Sequence, residues 1–171
     1  MSKAIYDELE GTSQELQQVL SSFTPEQLNT IPFAGSWTAG QVGEHVLKSV
    51  SGTLQNVNGD VKPTERNPEE NIRQLRDIFL NFEIKMTSPD FILPTTEPKN
   101  KVILIGSLEE NINGLAKVAR TEDLSATCLA FEMPFMGPLT RMEWISFANF
   151  HTQRHIHQLK NIKKFIDNHK N

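Results

Sequence analysis

Cysteine is almost missing from this sequence: Cys128 stands alone among 171 residues, so no intrachain disulfide can form. The start, MSKAIYDELEG, has no apolar core of the kind a secretory signal requires. These two absences lead to the expectation of a cytoplasmic, reducing compartment. Long apolar runs are missing too. The longest is VILI, far short of the roughly 20 residues needed to span a bilayer, so no membrane partner is expected. Positive charge is scarce, with 17 Lys and Arg against 21 Asp and Glu, a formal net charge of -4 and a pI near 5.7. A nucleic-acid binder needs a clustered basic surface to neutralise phosphates, and none is visible, so no nucleic-acid partner is expected. The one locally basic stretch, Lys160, Lys163, Lys164 and Lys170, reads as a solvated helix end whose cations suit the dipole there.

What remains is 37% hydrophobic and 22% charged, with a mean hydropathy of -0.40. That is the composition of a soluble globular chain. Its length suits a single domain with a sizeable core, residues 1–171. Ile5, Leu9, Leu16, Val19, Leu20 and Phe23 recur at helical spacing. Thr24, Pro25 and Gln27 then form a capping box that opens a short second turn. After the breaker IPFAGSW, Thr38 with Gln41 caps a helix carrying VGEHVLKSV. Asn67 as N-cap and Pro68 at the first position open a further segment with Ile72, Leu75, Phe79, Phe82 and Met86 on one stripe. Leu104, Leu108, Ile112, Leu115 and Val118 are again helical, and VILI is assigned to that helix because nothing nearby offers a strand partner. Thr140 with Glu143 is the clearest capping box, launching a helix to about His169. The class is all-α: an antiparallel bundle of long helices, with short extra helices in its loops.

That last helix holds FANFHTQRHIHQLKNI, which packs three of the five histidines into seven positions. Trp144, Ala148, His151, His155, Leu159, Ile162 and Ile166 follow one stripe, so His151 and His155 face the core together. Residues four apart on a helix have Cβ atoms about 5–6 Å apart, close enough for two imidazoles to converge on one metal ion. His157, two residues on, should point to nearly the opposite side and lie at the surface. His169 falls in the basic end. His45 shares a face with Gln41, Val42 and Ser49, which is an inward stripe. Burying three imidazoles costs desolvation three times unless each finds its own hydrogen-bond partner or all three share one purpose, such as a metal ion.

Two stretches resemble the motifs of a known family. GSWTAGQVGEHVLKS is similar to the first motif of the DinB/YfiT-like superfamily, a tryptophan at a helix start followed about two turns on by a metal-ligating histidine. MPFMGPLTRMEWISFANFHTQRHIHQLKNI is similar to the second, a GPLT turn leading into a helix with His151, Arg154, His155 and Gln158 at the family's spacing. The resemblance spans nearly the whole chain, including LSSFTPEQLNTIPFAGSW. It implies an up-down-down-up four-helix bundle and a three-histidine site for a divalent metal ion such as zinc or nickel. Carried over residue by residue, the ligands are His45, His151 and His155. Despite the family name, no DNA polymerase is implied. Relatives include metal-dependent hydrolases and thiol-dependent S-transferases or isomerases that use low-molecular-weight thiols.

Other chemistries fit less well. His151 is not followed by the glutamate that serves a zincin as general base. Ser36 and Ser49 lie near the site in sequence, but no carboxylate is spaced to orient a histidine for a serine triad. Trp37 lines a pocket or anchors the core. Gln158 is placed to hydrogen-bond a ligand or a bound water, and Arg154 to hold an anionic substrate or to pair with an acidic neighbour. Glu44, Glu109 and Glu110 are the carboxylates available as a base. The expectation is a metal-dependent transferase or hydrolase acting on a small molecule, with a low-molecular-weight thiol as the second substrate of the transferase and a homodimer as the assembly. The competing expectation is a non-catalytic bundle that binds a small ligand or a protein, its histidines structural.

Overall fold

Reciprocal caps fix where three of the helices begin. In the computed structural model, which describes residues 2–169, Thr24, Thr38 and Thr140 each accept a hydrogen bond from the amide three residues on. The side chains of Gln27, Gln41 and Glu143 in turn accept from the threonine amides. Donors that a helix start leaves orphaned are thereby satisfied. The helices so opened are α2 (Pro25–Leu28), α3 (Ala39–Val57) and α6 (Arg141–Asn168). Ahead of them runs α1 (Ser2–Ser21), and α5 (Lys101–Thr121) starts at Asn100, whose side chain accepts from the amides of Val102 and Ile103. VILI is therefore helix, as its lack of a strand partner predicts.

Four long helices form the bundle, and specific contacts give their directions. Thr12 meets Asn149 and Glu15 meets Lys160, so α1 and α6 run parallel. Tyr6 lies under Arg120 while Lys101 donates to the Phe23 carbonyl, so α1 and α5 are antiparallel. Gly43 faces Leu104 and Gly114 faces Leu54, which makes α3 and α5 parallel. A Cβ on either glycine would sit 2.7 Å from a methyl of the opposing leucine, so a larger residue there would push that leucine aside. His45 meets His151 near one end and Arg141 donates to the Val57 carbonyl at the other, so α3 and α6 are antiparallel. The order is up-down-down-up, around one core that includes Leu16, Leu20, Phe23, Leu108, Leu115, Ile145 and Leu159.

Two parallel helices in succession require a long crossover, residues 58–100. It departs from expectation in one respect. The helix read as starting at Pro68 and carrying Phe82 and Met86 is only α4 (Ile72–Phe79). Asn67 makes a local turn instead, its side chain accepting from the Glu69 amide, and the Asn71 amide donates to buried Glu143. Beyond Phe79, Arg154 takes the carbonyls of Phe79, Asn81 and Ile84. With those carbonyls engaged the helix stops, and Phe82 and Met86 lie exposed in a loop. A single 3-10 turn follows at Asp90–Ile92. An unexpected two-residue ladder pairs β1 (Val61–Lys62) antiparallel to β2 (Thr127–Cys128).

Candidate metal centre

His45 comes from α3 and His151 and His155 from α6, so three imidazoles meet across one antiparallel helix pair. They are 1%, 5% and 8% exposed. Nε2 of His45 and Nε2 of His155 each lie 3.1 Å from Nε2 of His151. All three ligand atoms fall within 4.8 Å of one another. Tetrahedral coordination with bonds of 2.0–2.1 Å would set nitrogens about 3.3 Å apart, close to the spacing found.

The outer nitrogens settle the tautomers. Nδ1 of His45 lies 2.9 Å from the Ile92 carbonyl oxygen, and Nδ1 of His155 lies 2.8 Å from Oε1 of Gln158. Each acceptor takes an N–H, which leaves the Nε2 lone pair aimed at the common centre. Lone pairs so placed repel unless a proton or a cation lies between them. One proton on His151 must be shared between two acceptors, whereas a divalent ion takes all three donors at once. His151 has no such acceptor: its Nδ1 is buried and unpartnered. Phe147, stacked at 5.4 Å, and the edge of Phe79, at 5.9 Å, hold its ring instead. The donor set fits a divalent metal.

Burial pushes all three imidazoles below their ordinary range. For His45 it outweighs the bond to Ile92, which pulls the other way. For His151 the neighbouring His155 and His45 add to burial, and the ring is driven far down. His155 falls to about 4, from burial and His45, against the raising effect of Gln158. All three are neutral at pH 7 and available as ligands.

The centre opens into a cavity of 1830 Å³ lined by both polar and apolar residues, with Trp37, Phe79, Trp144 and Phe147 among the aromatic ones. Trp37 packs on His45 at 5.1 Å, so it both lines the cavity and braces that ring. Ser36 and Ser49 also line it. Gln158 hydrogen-bonds His155. Arg154 lines the cavity and binds the three carbonyls of the 79–84 segment rather than an acidic neighbour, and so ties that loop to α6. His157 is exposed as expected but not turned away. It sits on the cavity wall, stacked at 4.1 Å on Phe82, because the loop after α4 folds back over that side of α6. His169 stacks on Phe165, remote from the centre. Lys160 and Lys163 are ion-paired with Glu15 and Asp167, and Lys170 lies outside the described residues.

None of the three carboxylates considered as a base is placed to act. Glu44 is committed to Lys99, at 2.6 Å, Lys48 and Thr95. Those bonds overcome the opposing effect of burial and hold its carboxyl at about 2. Glu109 and Glu110 are exposed on α5 and do not line the cavity. Asp90, exposed, is the only carboxylate among the described lining residues. Sequence reasoning missed Ile92, whose carbonyl no side-chain pattern announces. It also missed Asn56, which did leave a signal: a polar residue on the inward stripe of His45, Ser49 and Thr53.

No described helix is long and apolar enough to cross a membrane. The family model of the DinB superfamily matches residues 8–159. A relative from Bacillus subtilis (strain 168), the uncharacterized protein YuaE, is 24% identical over 154 residues, covering 86% of this chain and 90% of YuaE. Among solved structures, that of TT2238, a four-helix bundle protein, superposes with a TM-score of 0.58 at 21% identity, covering 94% of this chain and 99% of the other. At that identity the likeness shows the fold alone.

Proposed function

This chain belongs to the DinB superfamily, and we propose that it is a cytoplasmic enzyme in which His45, His151 and His155 hold a divalent ion, zinc or nickel, and which joins a low-molecular-weight thiol to a small electrophile. The observation that carries this reading is the convergence of three neutral Nε2 donors on the wall of an open cavity, with no carboxylate in the cluster. Three uncharged ligands leave a bound ion its full double charge, which makes it a strong Lewis acid that favours ionised over neutral thiol.

The chain's own groups do the rest. Ile92 and Gln158 orient two of the ligand rings. Trp37, Phe79 and Phe147 form a dry wall suited to an apolar electrophile. The thiol proton leaves to solvent through the open mouth. The sulfur then forms a bond to carbon while the leaving group departs with its electron pair. A thiol needs no protein base once its proton has gone, whereas water attack usually does.

Hydrolysis is the second reading, and Asp90 is the observation that favours it, as the one lining carboxylate free to take a proton from water. The test incubates zinc- or nickel-loaded protein with an aryl halide and glutathione, coenzyme A, bacillithiol or mycothiol, alongside ester and amide substrates. Metal-dependent conjugation that His155→Ala abolishes supports the transferase. Metal-dependent ester or amide turnover lost in Asp90→Asn, with no conjugation above background, replaces it with the hydrolase. No turnover of either kind by fully loaded protein favours a binding role.

A further inference from the structure

Along α3, the residues lining the cavity continue from His45 through Ser49 and Thr53 to Asn56, about 16 Å down the helix axis. Along α6 they run back from His151 through Phe147 to Trp144, about 10 Å away. The two helices are antiparallel and Arg141 Nε donates to the Val57 carbonyl at 2.8 Å, so Asn56 and Trp144 stand at the same end of the pair, away from the histidines.

Asn56 is 4% exposed, and neither atom of its carboxamide has a hydrogen-bond partner; the indole nitrogen of buried Trp144 has none either. Folded proteins rarely leave such groups unpaired, because each loses its bonds to water and gains nothing in return. Here both residues line one cavity, at the same end of the helix pair.

We infer that Asn56 and Trp144 form a second binding site in this cavity, one that holds an uncharged amide group at the far end of an elongated substrate. The identity of the group follows from hydrogen-bond complementarity. Asn56 offers an acceptor and a donor side by side, and Trp144 adds a donor. A primary amide answers all of them, because its carbonyl oxygen and one N–H lie on the same side: the carbonyl accepts from Asn56 Nδ2 and Trp144 Nε1, and that N–H donates to Asn56 Oδ1. A carboxylate has nothing to donate to Oδ1, and an ammonium cannot accept from either N–H. Charged lining residues do not compete. Lys48 is bound to the Leu93 carbonyl and Glu44, and Arg154 to the 79–84 segment, while Lys85 and Asp90 belong to the loop after α4. The three atoms are closed to solvent, so the proposed site takes the group only when a neighbour moves; the ring packed on Trp144 is Phe131, 42% exposed and 5.8 Å away. The Asn56 carboxamide follows by rotation about a broad torsion.

That the substrate's other end reacts at the histidines rests on the function proposed above; the amide site itself is testable without metal. The probes are phenylacetamide and its ester counterpart methyl phenylacetate, added to 15N-labelled full-length protein in EDTA and again with saturating zinc. The indole N–H resonances are assigned with Trp144→Phe. The amide should move the Trp144 resonance saturably under both conditions, and the ester should bind about tenfold more weakly, having no N–H for Asn56. Asn56→Leu should weaken the amide about tenfold while its melting midpoint stays equal or rises, since leucine leaves no polar atom unpaired. By calorimetry, Trp144→Phe should weaken the amide as well. If instead Asn56 is satisfied by water as part of the fold, Asn56→Leu melts lower and amide and ester bind alike, which overturns the inference. Amide binding by a protein that takes up no zinc removes the metal reading and keeps this site. Zinc uptake with no response at Trp144 removes this site and keeps the metal.

Discussion

Oε1 of Gln158 stands 2.8 Å from Nδ1 of His155, and this contact decides which nitrogen of the ring faces the other two histidines. Outer acceptors of this kind fix the tautomer and sharpen a ligand's aim, and losing one typically costs 10–100-fold in metal affinity. Gln158→Leu should therefore weaken zinc binding by about 10–100-fold, measured by competition with a chromophoric chelator, with little change in the melting point of the metal-free protein. An unchanged affinity would mean that packing alone orients His155.

Glu143 is fully buried and accepts two hydrogen bonds from Arg66, at 2.6 and 2.7 Å, as well as bonds from the Thr140 and Asn71 amides. It joins the cap of α6 to the crossover. Removing Arg66 would strand a buried carboxylate, so Arg66→Met should cost about 3 kcal/mol in urea unfolding. Arg66→Lys should recover only part of it, because an ammonium cannot reproduce the paired geometry.

The buried histidines set an acid limit on the metal-free protein. Their folded pKa values lie below the ordinary imidazole value, with His155 at about 4. Between that value and about 6.5 the unfolded chain binds more protons than the folded one, so stability is complete above pH 6.5 and falls as pH drops toward 4. His155 alone should account for about 3 kcal/mol of that loss. Urea titrations in EDTA at pH 7, 6, 5 and 4 measure it, and His155→Leu should show a shallower decline. A flat profile across this range would contradict the burial of the cluster.

Cys128 is fully buried, and burial pushes its thiol up to about 11. At pH 8 the native protein should fail to react with an aromatic disulfide reagent, and one thiol should appear in urea. Prompt reaction in buffer would show that the β1–β2 end of the molecule opens.

How much of this was legible beforehand depends on how local each feature is. The three capping boxes could be read because a threonine and its partner three residues on settle the matter between themselves. The inward turn of His151 and His155 follows from helical period, and Gln158 lies one turn further on the same side. The crossover could not be read. Arg66 meets Glu143, Ile92 meets His45 and Arg154 meets the 79–84 carbonyls only after the bundle has assembled. Those contacts shorten α4, bring His157 to the cavity wall and engage the arginine that seemed free for a substrate. Glu44 was misjudged for the same reason, since Lys99 and Thr95, more than fifty residues away, claim it.

The central claim is that His45, His151 and His155 hold one divalent ion. Its most direct test is elemental analysis of untagged protein given excess zinc or nickel and then desalted. The account predicts close to one equivalent per chain, retained by His157→Ala and lost by His45→Ala, His151→Ala and His155→Ala. Far less than one equivalent in the wild type, or equal retention by His157→Ala and His151→Ala, would contradict it.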